Sequence, residues 1–368
     1  MFDFGNANEG QRKAIAAAEG PVLITAGPGT GKTYTLVQRT IYLIEECGVK
    51  PESIFIATFT EKAAKELITR ITNELSDRGI VANINEMYIG TFHSLCLRIL
   101  KEHLEFTRLR RNYRLLDAFD QQYMVFQNIH RFRNIPEVEV ALPNGGAWKQ
   151  SEAICNYVNN LSEELVTPEE LMSDTDLSIA ALGRMLKEYR DVLTEGNLMD
   201  FSSIQIEAYH LLQDNVEILE ELRSKVTHIM VDEYQDTNFI QEQLVFLLAR
   251  DHKNICVVGD DDQGLYRFRG ATIRNILEFP QKFAEGECRV IPLVINYRSN
   301  SDIVDFYNEW MATTDGAKFK FRWDNFRYDK RIEPHEKTTL HSPAVVKLAG
   351  MDDTDEWHEK ILQFINDL

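Results

Sequence analysis

The sequence predicts an α/β protein built on a parallel sheet and interrupted by an all-helical insertion. Three observations carry this reading. Up to about residue 107, short apolar, β-rich runs alternate with helical patterns, the signature of βαβ units whose parallel strands need crossover helices. From Arg108 to Asp200 the strand pattern stops and long amphipathic helical periodicities replace it. Beyond Asp200, two further apolar runs, each followed by an acidic loop, mark the return of the sheet.

The elements follow in order. Pro21–Thr25 reads as a strand, Lys32–Glu46 as a helix and Ser53–Ala57 as a second strand. Thr60 is placed to cap a helix whose apolar residues Ala64, Leu67, Ile68, Ile71 and Leu75 recur at helical spacing. Met87–Gly90 is a short third strand leading into Thr91-Phe92-His93. The insertion contains a Pro143-Asn-Gly-Gly146 break and no convincing strand. Thr227–Val231 and Asn254–Val258 are buried strands, Arg289–Val294 is another, and the pattern then weakens until a closing helix, Glu356–Ile365. There is no internal repeat and no low-complexity tract.

With 368 residues, 44% apolar and 27% charged, the composition is that of an ordinary soluble protein of two or three domains. No run approaches the roughly 20 apolar residues of a membrane span, and the amino terminus lacks the basic start and apolar block of an export signal. A cytoplasmic location with no membrane partner is expected by default. Five widely spaced cysteines, an odd number without a C-x-x-C pair, argue against a zinc or iron–sulfur site and for reduced thiols.

The formal charge of −18 argues against nucleic acid as a partner unless basic residues cluster locally, because phosphate contacts come from Lys and Arg. Two such tracks exist. Arg98 to Arg114 carries Arg98, Lys101, Arg108, Arg110, Arg111 and Arg114 against only Glu102 and Glu105; it is either a phosphate contact or, on charge alone the favoured reading, a solvated helix face. Lys318-Phe319-Lys320-Phe321-Arg322-Trp323 could stack bases and pair phosphates, although its strict alternation favours a half-buried strand.

Between the first strand and the first long helix lies Ala26-Gly27-Pro28-Gly29-Thr30-Gly31-Lys32-Thr33. A glycine-rich turn there presents successive backbone N–H groups to phosphate oxygens, and the helix terminus adds partial positive charge. Gly29 and Gly31 allow close backbone approach, Lys32 reaches the terminal phosphates, and the Thr33 hydroxyl can ligate Mg²⁺. Ala26 stands where the usual pattern begins with Gly. Such a loop needs a metal-holding carboxylate at the end of a neighbouring strand, and Asp232-Glu233 supplies it. Asp232 would hold Mg²⁺, and Glu233 would polarise an attacking water as general base.

With these residues in place, the chain resembles the UvrD/Rep/PcrA family of superfamily 1 DNA helicases over most of its length. Val231-Asp-Glu-Tyr-Gln-Asp-Thr-Asn238 resembles motif II and is the most specific of several segments in the family's order. Asn8-Glu-Gly-Gln11 resembles the Q motif, which implies that Gln11 reads the adenine edge and selects ATP. Ala57-Thr58-Phe59-Thr60-Glu61-Lys62-Ala63-Ala64 resembles motif Ia and Gly90-Thr91-Phe92-His93-Ser94 motif Ib. The resemblance implies a single-stranded DNA groove in which Phe59 stacks a base and Thr60 and His93 touch the backbone. In isolation, Phe59 would read as a core aromatic and His93 as a satisfied loop residue.

Val257 to Ala271 resembles motif III, which implies that Gln263 senses the γ-phosphate while Tyr266 and Phe268 stack bases. Leu293-Val-Ile-Asn-Tyr-Arg-Ser299 resembles motif IV, with Tyr297 on the adenine and Arg298 as an arginine finger. Three positions depart from the family: Tyr34 replaces an Arg, Gly264 a Ser and Phe268 a Trp. The resemblance implies RecA-like lobes: residues 1–107 and 201–287 as the two parts of the first, 108–200 as the helical insertion, and 288–368 as the start of the second. Motifs V and VI are not met before Leu368. The expectation is the amino-terminal part of an ATP-dependent helicase or translocase, moving 3′-to-5′ on single-stranded DNA and at duplex junctions, whose second lobe is completed in cis or in trans, and which does not unwind duplex alone. The alternatives are the helicase subunit of a helicase–nuclease complex and a binding module using ATP as a switch.

Overall fold

The apolar runs read as strands lie side by side. In this computed structural model, residues 2–264, 272–312, 327–328, 330–336, 345 and 354–367 are described. The strands in chain order are β1 Val22–Ala26, β2 Ile54–Thr58, β3 Tyr88–Thr91, β4 Arg114–Leu115, β5 Leu198–Met199, β6 His228–Val231, β7 Ile255–Gly259, β8 Arg289–Leu293, β9 Ile295–Asn296 and β10 Glu333–Pro334. Six of them form one sheet in the order β3-β2-β6-β7-β1-β8, and every pairing is parallel.

The four inner strands are apolar along almost their whole length because both faces of the sheet are covered. Leu23, Phe55, Ala57, Ile229, Val231, Ile255 and Val257 point into one core. Their neighbours Val22, Ile24, Ile54, Ile56, Met230, Cys256 and Val258 point into the other. Helices α1 Glu9–Ala16, α2 Lys32–Glu45, α3 Glu61–Asp77 and α4 Phe92–Glu102 link or flank the first strands. Thr60 caps α3, its hydroxyl accepting from Ala63 N at 3.1 Å. Ala64, Leu67, Ile71 and Leu75 are buried on the inner face of α3, whereas Ile68 is exposed.

The insertion holds α5 Ala118–Gln127, α6 Ile129–Arg133, α7 Ala147–Glu163, α8 Pro168–Met172 and α9 Leu177–Glu195. These helices share a separate core around Val125, Phe132, Ile154, Met185 and Leu186. No strand is expected in this region, yet β4 and β5 pair at its entrance and exit. At two residues each they are too short to show alternation. The chain then returns through α10 Phe201–Asp214, α11 Val216–Lys225, α12 Phe239–Ala249 and α13 Arg274–Glu278.

The described residues fall into two compact units. The first comprises those within Met1–Ala26, Gly31–Leu293 and Phe326–Tyr328; the second those within Gly27–Thr30, Val294–Asn325 and Asp329–Leu368. Strand β8, expected to open the second lobe from residue 288, instead extends the first sheet beside β1. The second unit contains the parallel pair β9 and β10, with α14 Ser301–Ala312 and α15 Thr354–Asp367. No helix among the described residues is long and apolar enough to cross a membrane.

Candidate nucleotide and nucleic-acid site

Five of the segments singled out in the sequence follow the carboxyl ends of parallel strands, where open α/β sheets bind ligands; the Asn8–Gln11 segment instead opens α1, ahead of β1. The turn after β1 leads to α2, whose first turn has no capping side chain, unlike α3 and α4, capped by Thr60 and Thr91. Its orphan amides therefore remain for a ligand. Gly31, at φ +84°, holds the left-handed turn, and a Cβ there would lie 2.7 Å from Gln11 Nε2. Gln11 is thus fixed against the end of the phosphate loop. Its Oε1 accepts from Asn8 N at 3.0 Å, and its own N–H donates to Asn8 Oδ1 at 2.9 Å. Tyr34 turns its hydroxyl to Phe4 O at 3.4 Å. Ala26 is fully buried in the core beside the sheet, which accounts for a methyl at this position.

The carboxylates sit after β6. Asp232 N donates to Ala57 O at 2.9 Å, which anchors the turn to β2. Glu233 has φ +50°, an uncommon left-handed backbone for a non-glycine residue. Its Oε1 is 3.6 Å from Lys32 Nζ. The Asp232 carboxyl is buried, and its pKa is pushed up to about 7, first by burial and then by the Glu233 charge, with Lys32 acting in the opposite sense. Because Lys32 pairs with Glu233, Asp232 is a desolvated oxygen donor that a divalent cation would favour in its charged form. Asp232 and Thr33, in the first turn of α2, fit Mg²⁺ by donor type.

Glu233 is held from its other side. Gln235 Nε2 donates to Glu233 Oε2 at 2.8 Å, while Gln235 Oε1 accepts the Asp260 amide at 3.0 Å. Gln263 Nε2 in turn donates to Asp260 Oδ2 at 2.5 Å. A continuous hydrogen-bonded path therefore runs from the general-base candidate to Gln263. Beyond it, Arg327 forks onto Asp262 at 2.6 and 2.8 Å, and Tyr328 N donates to Asp261 at 3.0 Å. Gly264 has Ile273 Cδ1 2.9 Å from where a Cβ would stand, so the apolar side chain fills the space a serine would need.

A cavity of about 50 Å³ is lined by Asp232 and Glu233 together with Phe59, Thr91 and His93. The carboxylates and the motif Ia and Ib aromatic and imidazole groups thus share one small space. His93 is held by Gln205 Nε2, 2.7 Å from its Nε2, and burial pushes its pKa down. Tyr266, Phe268 and the Lys318–Trp323 track lie outside the described residues. The Arg98–Arg114 track is not one helix face: α4 ends at Glu102, and Arg98, Arg108 and Arg114 are paired with Glu102, Glu207 and Asp120.

Within the second unit, Thr30 Oγ1 donates to Gly27 O at 2.8 Å. Asn296 donates from Nδ2 to Pro28 O at 2.7 Å, and its Oδ1 accepts from the backbone of Arg298 and Ser299 at 2.8 and 2.7 Å. Tyr297 N donates to Gly29 O at 2.9 Å, and its exposed ring lies 4.6 Å from that of His335, centroid to centroid. Gly29 itself has φ +71°. Among the residues of this arrangement that the sequence alone does not single out are Gln235, Asn296 and Arg327. The first two lie inside recognised segments, so their position was the available signal; Arg327 lies in none.

Residues 7–284 match the family described as the UvrD/REP helicase N-terminal domain. The ATP-dependent DNA helicase PcrA of Staphylococcus epidermidis (strain ATCC 35984) is 35% identical over 340 residues, covering 92% of this chain and 44% of that protein. PcrA of Staphylococcus aureus (strain Mu50) is 34% identical over 338 residues, with the same shares of 92% and 44%. The chain spans less than half the length of these curated relatives.

Proposed function

The chain belongs to the UvrD/Rep helicase family, and on that premise we propose that it carries the nucleotide-binding and strand-contacting part of an ATP-dependent DNA helicase travelling 3′-to-5′ on single-stranded DNA. The observation that carries this reading is the path from Lys32 and Glu233 through Gln235 and Asp260 to Gln263. In it, the group that would activate water is mechanically tied to the segment that would report nucleotide state.

In this reading Gln11 selects the adenine and the amides of residues 27–31 cradle the phosphates. Lys32 neutralises charge on the terminal phosphates. Thr33 and Asp232 hold Mg²⁺, which supplies further charge neutralisation when bound. Glu233 accepts a proton from the attacking water, its carboxylate aimed by Gln235. Arg298 acts as the arginine finger and Tyr297 packs on the base. On the nucleic-acid side, Phe59 stacks a base and Thr60 and His93 touch the backbone, with Tyr266 and Phe268 continuing the track. The shared cavity of Glu233, Phe59 and His93 supports coupling between hydrolysis and strand binding. A module using ATP only as a switch would need no oriented base, and the Gln235 hydrogen bond to Glu233 favours the motor over that alternative.

The test is ATP hydrolysis measured with and without single-stranded DNA. Stimulation by DNA is expected, with Lys32→Ala or Glu233→Gln lowering turnover by about a hundredfold or more. Hydrolysis indifferent to DNA would remove the coupling claim.

A further inference from the structure

At the base of the helical insertion, where α9 and α10 meet the segment around Arg108, lies a cavity of about 240 Å³ to which none of the functions above has been given. Its walls include Arg108, Arg190, Ser162 and His210. Two acidic side chains also line it, and both are already committed. Glu207 is paired with Arg108. Asp200 accepts hydrogen bonds from Tyr189, Gln121 and the Ser203 amide.

The guanidinium groups are not so committed. Arg108 donates to Glu207 and, at 3.2 Å, to Leu198 O, but its Nη1 is buried with no partner. Among the described residues the Arg190 guanidinium has neither a hydrogen bond nor an ion pair. Its pKa is lowered by burial, and the charges of Glu169 and Glu207 only partly offset this. Leaving charged N–H donors away from water without an acceptor is costly. Arg108 Nη1 is such a donor, and the partly exposed Arg190 guanidinium presents a second set of N–H groups to the same cavity.

We propose that this cavity is a phosphate-class oxyanion site, in which Arg190 and the unpaired Nη1 edge of Arg108 bind the oxygens. The planar fork of arginine matches a tetrahedral oxyanion, and the buried Ser162 hydroxyl offers a further donor. The volume lies below the roughly 300–1,000 Å³ of pockets for drug-sized ligands, which selects a small anion or the phosphate end of a larger molecule over a whole nucleotide. The site joins an insertion helix to a helix of the first sheet, so its occupant would tie the two together. The phosphate could be free or belong to a nucleic-acid strand.

The experiment is calorimetric titration of inorganic phosphate in a phosphate-free buffer. It is done in a Lys32→Ala background, so that the phosphate loop does not contribute. One binding event is expected, weakened about tenfold or more by Arg190→Gln and partly retained by Arg190→Lys. Arg190 has no protein partner to lose, so the Arg190→Gln melting temperature is expected to match its parent's. Absence of binding in the parent, or equal affinity in Arg190→Gln, would overturn the proposal. A short 5′-phosphorylated single strand separates the two sources. Competition with phosphate that depends on Arg190 assigns a strand phosphate; phosphate binding untouched by the strand assigns the free anion.

Discussion

Gln235 stands between Glu233 and Asp260, donating to the carboxylate of one at 2.8 Å and accepting the backbone amide of the other at 3.0 Å. Because one side-chain amide serves both, Glu233 cannot turn without disturbing the turn that carries Gln263. Gln235→Ala is therefore expected to lower kcat about tenfold or more while leaving the KM for ATP within about twofold. It also leaves the buried Asp260 amide unpaired, at a cost of about 1–3 kcal/mol in stability. A loss of activity that merely followed the fraction unfolded, checked by denaturation at the assay temperature, would contradict a positioning role.

Gly259 tests the same path from the packing side. A Cβ there would stand 2.5 Å from Gln235 Oε1 and 2.7 Å from Ile276 Cδ1, so Gly259→Ala must push Gln235 aside. The expected cost is about 1–3 kcal/mol of stability, together with a fall in kcat like that of Gln235→Ala. The double variant should be no slower than the worse single variant, because both break one path. Additive losses in kcat would show two separate effects.

Glu163 predicts a pH dependence. Its Oε2 is buried without a partner, and its pKa is raised to about 7, mainly by burial and against a hydrogen bond with Asn238. The folded protein thus holds this proton more tightly than the unfolded chain does. The associated stability is complete below the ordinary value of 4.5 and is lost as pH rises through about 7. Glu163→Gln is expected to unfold at the same denaturant concentration as the parent near the low end of that window and at a higher one at pH 8 or so. Parallel curves for the two proteins across this range would rule the assignment out.

Phe59 is the described aromatic residue on the proposed strand track and lines the same cavity as Glu233. If a base stacks there, Phe59→Ala should weaken single-stranded DNA binding by about 1–3 kcal/mol. Fluorescence anisotropy with a labelled oligonucleotide reads this directly, and ATP affinity measured in parallel should not move. Equal losses in both would make Phe59 a packing residue.

The sheet was legible because its inner strands are buried on both faces, so β1, β2, β6 and β7 appear as uninterrupted apolar runs. Strand β8 reads as a strand from its own residues, but whether it pairs with β1 is a long-range choice that local pattern does not encode. The pair β4 and β5 leaves no trace in the sequence pattern because two residues cannot display a period. At the candidate site, residues defined by charge or by a glycine turn, such as Lys32 and Asp232, can be nominated by type. Gln235 and Asn296 act through neutral amides, which occur everywhere and gain meaning only from what they touch. Arg327 reaches Asp262 across 65 residues.

Glu233 keeps a left-handed backbone, φ +50°, in which a side chain is disfavoured by about 1 kcal/mol and glycine is not. With Glu233 in its proposed role, backbone ease and hydrolysis favour different residues at this position. A library screened only for survival on heating is expected to enrich Gly or Asn at 233, and each such survivor would have discarded the proposed base. Retention of Glu233 in such a library under selection for ATP hydrolysis, and its loss under heat selection alone, would support the role proposed for it.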